Sequence, residues 1–304
     1  MTVAVSAGRG RRGNIARCLE LVRDEVEERL LKAGRVLVKP NMVTVRRQLA
    51  ATHRDALDAV LEFLKSIGDL EILVGEIPAI GSAEEGYRNY GYHEVCEKHG
   101  AKLVDPSGEW VEVRVFDSSL KELRVKASKL MLETPVVSVA PAKTHDTVLV
   151  TLSLKNVAVG MLLKGEKQKI HQGYKAINLS IFRLSRLADI VLAVVDGYEA
   201  MEGEGPVSGD PVKWDVCIAS TSAAQADSTA AWMMGVNPRQ VGYLSYYEEL
   251  GLETLYPMVE LKGDPPEEHR RQFKLHSTHI KQLSWMLTGR EVEKAKPLLL
   301  DKVP

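Results

Sequence analysis

The sequence predicts an α/β fold: a mostly parallel sheet with helices on both faces, and a small antiparallel hairpin beside it. Three observations point there. Short apolar runs recur along the chain and end in Gly, Pro or charged residues. Between them lie longer segments with apolar residues at helical spacing. Only around Trp110–Val125 does the pattern become strict alternation, the period of a half-exposed hairpin.

In order, Val3–Ala7 reads as a short strand. Asn14–Lys32 has a helical stripe of Ile15, Leu19, Val22, Val26 and Leu30, closed by Gly34. Arg35–Val38 is a compact strand followed by Pro40, and Arg54–Leu64 is an amphipathic helix with Thr52 as its N-cap. Glu71–Val74 (strand), Glu84–Lys98 (helix) and Ala101–Val104 (strand) continue the alternation expected of a parallel sheet. The hairpin near 110–126 interrupts it. Buried-strand patterns return at Pro135–Ala140, Ile190–Val195 and Val216–Ala219, with helices at Ile177–Leu187 and Ala223–Met234. The segment near 267–299 reads as mainly helical and is a candidate surface for a homo-oligomer. With no linker or internal repeat, residues 1–304 form a single domain.

Composition narrows the function classes. Among 304 residues, 40 Lys plus Arg stand against 41 Asp plus Glu. This balance gives no electrostatic case for nucleic acid or for an anionic membrane. The three cysteines, Cys18, Cys96 and Cys217, are scattered and form no C-x-x-C pair, which argues against a disulfide framework and against an iron–sulfur cluster. The start lacks the basic flank of a signal peptide, and the longest apolar run, Val148–Leu163, is interrupted by Lys155 and Asn156. A cytoplasmic location is the expectation. Six Asn and seven Gln are few, and with abundant Arg, Glu and Lys they point to a hot-living source.

The chemistry concentrates where strands end. Lys39-Pro40-Asn41, Gly75-Glu76, Lys143-Thr144-His145-Asp146 and Asp196-Gly197 each follow an apolar strand. In an open parallel sheet such carboxyl ends share one rim, where ligands bind. A second cluster runs from Lys143 to Lys175 and includes His145, Lys155, Asn156, Lys164, Lys167, Lys169 and His171. Lys155 and Asn156 sit among apolar neighbours, and a buried Lys is costly unless paired or functional. Helix, capped by Asp146, is the expectation for that stretch, with strand at Thr151–Leu154 as the alternative. A third segment, Asp196 to Pro211, combines four glycines with Glu202, Glu204 and Asp210. Its carboxylates are hard donors of the kind Mg²⁺ or Ca²⁺ prefers, so Asp196, Glu202 and Asp210 are candidate metal ligands. Closure of the Lys-rich segment over them is the alternative. Gly8-Arg9-Gly10-Arg11-Arg12-Gly13 matches G-x-G-x-x-G, but the arginines and the basic end of the next strand favour a solvated or anion-contacting loop over a dinucleotide site. His276 and His279 share a helical spacing without a third ligand and read as structural.

Together, Lys39-Pro40-Asn41, Lys143-Thr144-His145, Leu152-Ser153-Leu154-Lys155-Asn156, Val195-Asp196-Gly197, Met201-Glu202-Gly203-Glu204-Gly205-Pro206 and Ala226-Asp227-Ser228 resemble the family called "domain of unknown function 362", over roughly residues 35 to 240. The resemblance implies the same fold and the same rim. Many members carry an added ferredoxin-like iron–sulfur module, whose cysteines this chain lacks. Lys143-Thr144-His145 through His171 is also loosely similar to a segment of the lactate racemase family.

The expected function is that of an enzyme acting on a small anion, carboxylate or phosphate, at the strand-end rim. Lys39, Lys143 and Lys155 would neutralise the anion, and Asn41, Asn156 and Glu76 would complete its binding. His145, His171 and Lys155 are the candidate catalytic residues. The cofactor stays open: a divalent metal and an organic cofactor are both compatible with the sequence, and an iron–sulfur cluster is not expected from three scattered cysteines. Two alternatives are a binding protein for an anionic metabolite or cofactor, and a redox partner without its own cluster.

Overall fold

The computed structural model describes residues 1–301. Its strands are β1 (Thr2–Ala7), β2 (Arg35–Pro40), β3 (Glu71–Gly75), β4 (Lys102–Val104), β5 (Trp110–Phe116), β6 (Glu122–Ser128), β7 (Val136–His145), β8 (Leu149–Thr151), β9 (Ile190–Glu202), β10 (Asp210–Ser220) and β11 (Glu260–Gly263). Nine of them form one sheet in the order β11-β1-β10-β9-β7-β2-β3-β4, with β8 folded back on β7. The block from β9 to β4 is parallel, as the alternating sequence predicts. Beyond β9 the sheet is mixed, because β10 runs antiparallel to both β9 and β1. The expected hairpin is the separate two-stranded sheet β5–β6.

The helices are α1 (Gly10–Leu21), α2 (Arg23–Ala33), α3 (Arg54–Ile67), α4 (Ala83–Asn89), α5 (Tyr92–His99), α6 (Lys129–Glu133), α7 (Ser153–Gly160), α8 (Tyr174–Leu187), α9 (Ala223–Met233), α10 (Gly242–Glu249), α11 (His279–Gln282) and α12 (Gly289–Leu300). The strand period of two sorts the core between the faces. Val36 and Val38 of β2 pack with Ile15, Leu57 and Val60 of α1 and α3. Leu37, between them, packs with the opposite core, which holds Val157 of α7, Ile181 of α8 and Ala230 of α9. Lys39 continues the Leu37 side of the strand and so meets α7.

Several expected boundaries move for local reasons. The helix expected over Asn14–Lys32 breaks at Val22 into α1 and α2. Glu84–Lys98 also splits, because Gly91 takes a left-handed conformation between α4 and α5. The N-cap of α3 is His53, whose side chain accepts the Asp55 amide, whereas Thr52 donates to the Val139 carbonyl. The stretch around Thr151 contains both readings in turn: β8 is strand and α7, from Ser153, is helix. Over 267–299 helix is confined to the short α11 and the twelve-residue α12. Ahead of α11 the chain is extended, and Arg271 and Phe273 give their amides to the Met233 and Met234 carbonyls at the end of α9. Among the described residues no helix is long and apolar enough to cross a membrane.

Candidate functional site

The parallel block contains a change of direction. From β2 the chain winds outward to β3 and β4, then returns to place β7 on the other side of β2 and β9 beyond it. Loops leaving β2 and β7 therefore diverge, and the carboxyl ends of these strands bound a crevice of the kind that holds ligands in open α/β sheets. A cavity of about 370 Å³ lies here. Its polar wall comprises Lys39, Asn41, Glu76, His145, Asp146, Lys155, Asn156, Lys167 and His171.

The floor is a closed network of buried groups. The Lys39 ammonium donates to Glu76 Oε2 at 2.5 Å, to Asn156 Oδ1 at 2.9 Å and to the Pro40 carbonyl at 3.0 Å. Asn156 Oδ1 also takes Asn41 Nδ2 at 3.0 Å, and its Nδ2 donates to Ser138 Oγ at 3.1 Å. Glu76 is held from its other oxygen by the Ile77 amide at 2.8 Å. Desolvation lowers the Lys39 pKa, and the Glu76 carboxylate opposes that shift. Such a pair is strongly fixed, because removing either member would leave an uncompensated buried charge. Gly160 makes room for it: a Cβ there would lie 2.0 Å from Lys39 Cε.

Two adjacent residues of α7 serve different purposes. Asn156 turns into the network, while Lys155 reaches the cavity. Lys155 is only 8% exposed, and among the described residues nothing accepts a hydrogen bond from its ammonium. Burial lowers its pKa to about 8, with Asp146 opposing and Lys39 assisting. The helix that carries it is capped from outside. Asp227 of α9 accepts the Ser153 and Leu154 amides at 2.9 and 2.8 Å. Asp227 is fully buried, and desolvation raises its pKa to about 7 against the pull of those two amides.

The two histidines are held in different tautomers. His145 Nδ1 accepts the Thr147 amide at 3.0 Å, which assigns its proton to Nε2. Desolvation and then the Lys155 charge push its pKa down to about 3, so the ring is neutral. On protonation, Nδ1 would turn donor toward Asp146 Oδ1, 2.9 Å away. His171 sits at the mouth. Its Nδ1 lies 2.7 Å from the Lys167 carbonyl and must donate there, leaving a lone pair on Nε2. Although the residue reaches the surface, desolvation of its ring lowers its pKa. The buried Lys167, which the sequence marks only as part of the Lys-rich segment, bonds to the Ile77 carbonyl and has its pKa lowered by burial to about 8.

Other expected site residues stand apart. Lys143 lies behind the wall, donating to Asn41 Oδ1 at 2.6 Å and to the Ala50 carbonyl at 3.1 Å. Asp196 is paired with Arg11 at 2.9 Å, and burial raises its pKa in spite of that arginine. Glu202 accepts the Lys274 amide, and Asp210 is its register partner on β10. Asp196 and Glu202 thus lie six residues apart on one strand and do not converge. Among the described residues no three His, Cys, Asp or Glu side chains are grouped to hold a metal. The Lys-rich segment does not close over these carboxylates either: Lys164 bonds to the Gly81 carbonyl, Lys169 to Glu166 and Lys175 to Glu291. In the G-x-G-x-x-G segment, Arg9 pairs with Asp264 and Arg12 with Asp58 and Glu62, so protein carboxylates occupy these arginines. His276 lies just ahead of α11, where its Nε2 meets Glu204 at 2.9 Å, and His279 is the first residue of that helix.

A family model described as Domain of unknown function (DUF362) matches residues 36–232. Thylakoid-associated protein sll1697 of Synechocystis sp. is 23% identical over 239 residues, covering 77% of this chain and 73% of that protein. The family match takes in β2, β7, α7 and Asp227, and with them the whole polar wall of the cavity. The chain belongs to the Domain of unknown function (DUF362) family.

Proposed function

We propose that this protein is an enzyme acting on an anionic substrate, a carboxylate or a phosphate, in the cavity between the ends of β2 and β7. The observation that carries the reading is the buried Lys155 ammonium at the cavity wall, which has no acceptor among the described residues. A charge in that position is costly until an opposite charge meets it. The wall answers it only in part, because Asp146 acts on Lys155 through space and accepts no hydrogen bond from it. Three lysines there (Lys39, Lys155, Lys167) face two carboxylates (Glu76, Asp146), an excess of one positive charge, and Glu76 is already committed to Lys39. An anion bound to Lys155 would complete the site.

The histidines divide the proton work. Neutral His145 offers Nε2–H as a fixed donor, suited to an oxygen on which charge develops. His171 offers the Nε2 lone pair as a base, with its orientation set by the Lys167 carbonyl. The Lys39–Glu76–Asn156–Asn41 network holds the floor rigid beneath them, which favours reaction over loose capture. The expected cytoplasmic location is part of the same proposal, although the relative's name associates that protein with thylakoids.

The test is thermal unfolding in the presence of inorganic phosphate and of short carboxylates. A bound anion raises the wild-type midpoint by mass action on the folded state. Lys155→Met keeps the apolar stem and should weaken binding by about 1.5–3 kcal/mol, the range for a hydrogen bond to a charged group. Equal stabilisation of wild type and variant by every anion would return Lys155 to a structural role.

A further inference from the structure

The cavity has an apolar side that a lone phosphate or acetate would leave unfilled. Its volume of about 370 Å³ falls among pockets that take drug-sized ligands. Met42, Val43, Ala79, Ile80 and Val159 line that side. They come from three places: the chain after β2, the loop after β3, and the last turn of α7. Ile80 stands at the rim and is 58% exposed, a large aliphatic side chain left open to solvent. Single exposed aliphatics are ordinary on protein surfaces. This one continues the wall of a cavity, and its backbone is fixed there. Its amide donates to the Val43 carbonyl at 3.0 Å, and it is bridged to Thr44. From the other side, Lys164 and Lys167 hold the Gly81 and Ile77 carbonyls, so the loop bearing Ile80 is tied at both shoulders.

We infer that the substrate is amphiphilic: an anionic head at Lys155 joined to an apolar body of several carbons, which lies along Met42, Val43 and Val159 and leaves past Ile80. This rests on the anion reading above and narrows it from any small anion to carboxylates or phosphate esters with a hydrocarbon portion. Charge and apolar wall then select together. The ammonium rejects neutral lipids, and the unfilled wall disfavours small inorganic anions.

Titration calorimetry of the full chain with acetate, butanoate, hexanoate and octanoate tests it, with 1-octanol as the neutral control. Each methylene placed on the wall should tighten binding about fourfold, the equivalent of about 0.8 kcal/mol per buried CH₂. Ile80→Ser, at an exposed position that leaves the core intact, should weaken octanoate about tenfold and leave acetate unchanged. Lys155→Met should weaken the whole series. Equal affinities for acetate and octanoate, both lost in Lys155→Met, would overturn the amphiphilic substrate and leave the anion reading standing. An octanoate affinity indifferent to Ile80→Ser would overturn the path past the rim. Octanol binding as tight as octanoate, indifferent to Lys155→Met, would overturn the anionic head and the anion reading with it.

Discussion

Lys155 and His145 share one wall, and burial drives each toward its neutral form by a different amount. Lys155, lowered to about 8, is still mostly charged at neutral pH. Phosphate stabilisation should therefore hold up to about pH 7.5 and fall as pH rises through 8. In Lys155→Arg, whose guanidinium stays charged, that fall should disappear. His145 has its pKa pushed down to about 3, below the 6.5 of an unfolded chain. Between those values the unfolded state binds the extra proton, so the folded protein loses stability as pH drops from 6.5 toward 3. The slope from one such group reaches about 1.4 kcal/mol per pH unit. His145→Gln should flatten that part of a pH–stability curve measured by urea unfolding; an unchanged slope would show that other histidines and carboxylates dominate. Lys39 and Lys155 were readable as unusual because each adjoins or interrupts an apolar run. That Lys143 would turn away was not readable, because its acceptors are the side chain of Asn41 and a carbonyl at Ala50. Lys167 sits in a charged, loop-like stretch, and its burial depends on a carbonyl ninety residues earlier in the chain.

The helix α7 positions the site, and two contacts position α7. Asp227 accepts both of its first amides. Asp227→Ala would leave those buried N–H groups without acceptors, at about 1–3 kcal/mol each. The expected result is a lower unfolding midpoint and a weakened anion response, because Lys155 loses its fixed base. Asp227→Asn keeps one acceptor and should fall between. At the other end, Gly160→Ala places a methyl on the Lys39 ammonium, which three hydrogen bonds prevent from yielding. Overpacking of this kind costs about 1–3 kcal/mol; an unaltered midpoint would mean the floor network is looser than its geometry. At this level the sequence was half readable. Alternation and helical spacing both occur around Thr151 because a strand and a helix do follow one another there. The cap lay out of reach, since it comes from a different helix over seventy residues on, and Asp146 instead faces His145.

The whole molecule is closed by its C-terminal segment. Gln282 accepts the Leu149 amide at 2.5 Å and donates to the His145 carbonyl at 2.9 Å, which fastens α11 to the hairpin behind the site. Arg183 of α8, 1% exposed, donates to the Arg114 carbonyl at 2.6 Å and to the Leu298 carbonyl at 2.7 Å. It thereby joins the β5–β6 hairpin, the body and α12. Arg183→Met should release α12 to limited proteolysis near residues 286–300 while anion stabilisation persists; protection equal to wild type would place the anchoring elsewhere. The parallel block was readable from its βα rhythm. The antiparallel run β9-β10-β1 was not, because an apolar strand carries no mark of direction, and β10 takes its direction from the short connection out of β9. The stretch ahead of α11 misled for a related reason: its backbone finds partners on α9 and on Glu202 and Glu204, so it has little need to bond to itself as helix.

The two strands whose ends flank the cavity are neighbours in space and strangers in sequence. Leu37 is in register with Val136, 99 positions later. All of β3, β4, the hairpin and their helices must be threaded between them before the central ladder can close. Pairings of such long range are slow to form, because loop closure precedes any reward from the contact. On this ground the cavity should be among the last things the chain builds. After dilution from denaturant, recovery of the phosphate-dependent rise in midpoint should lag behind the return of helical circular dichroism.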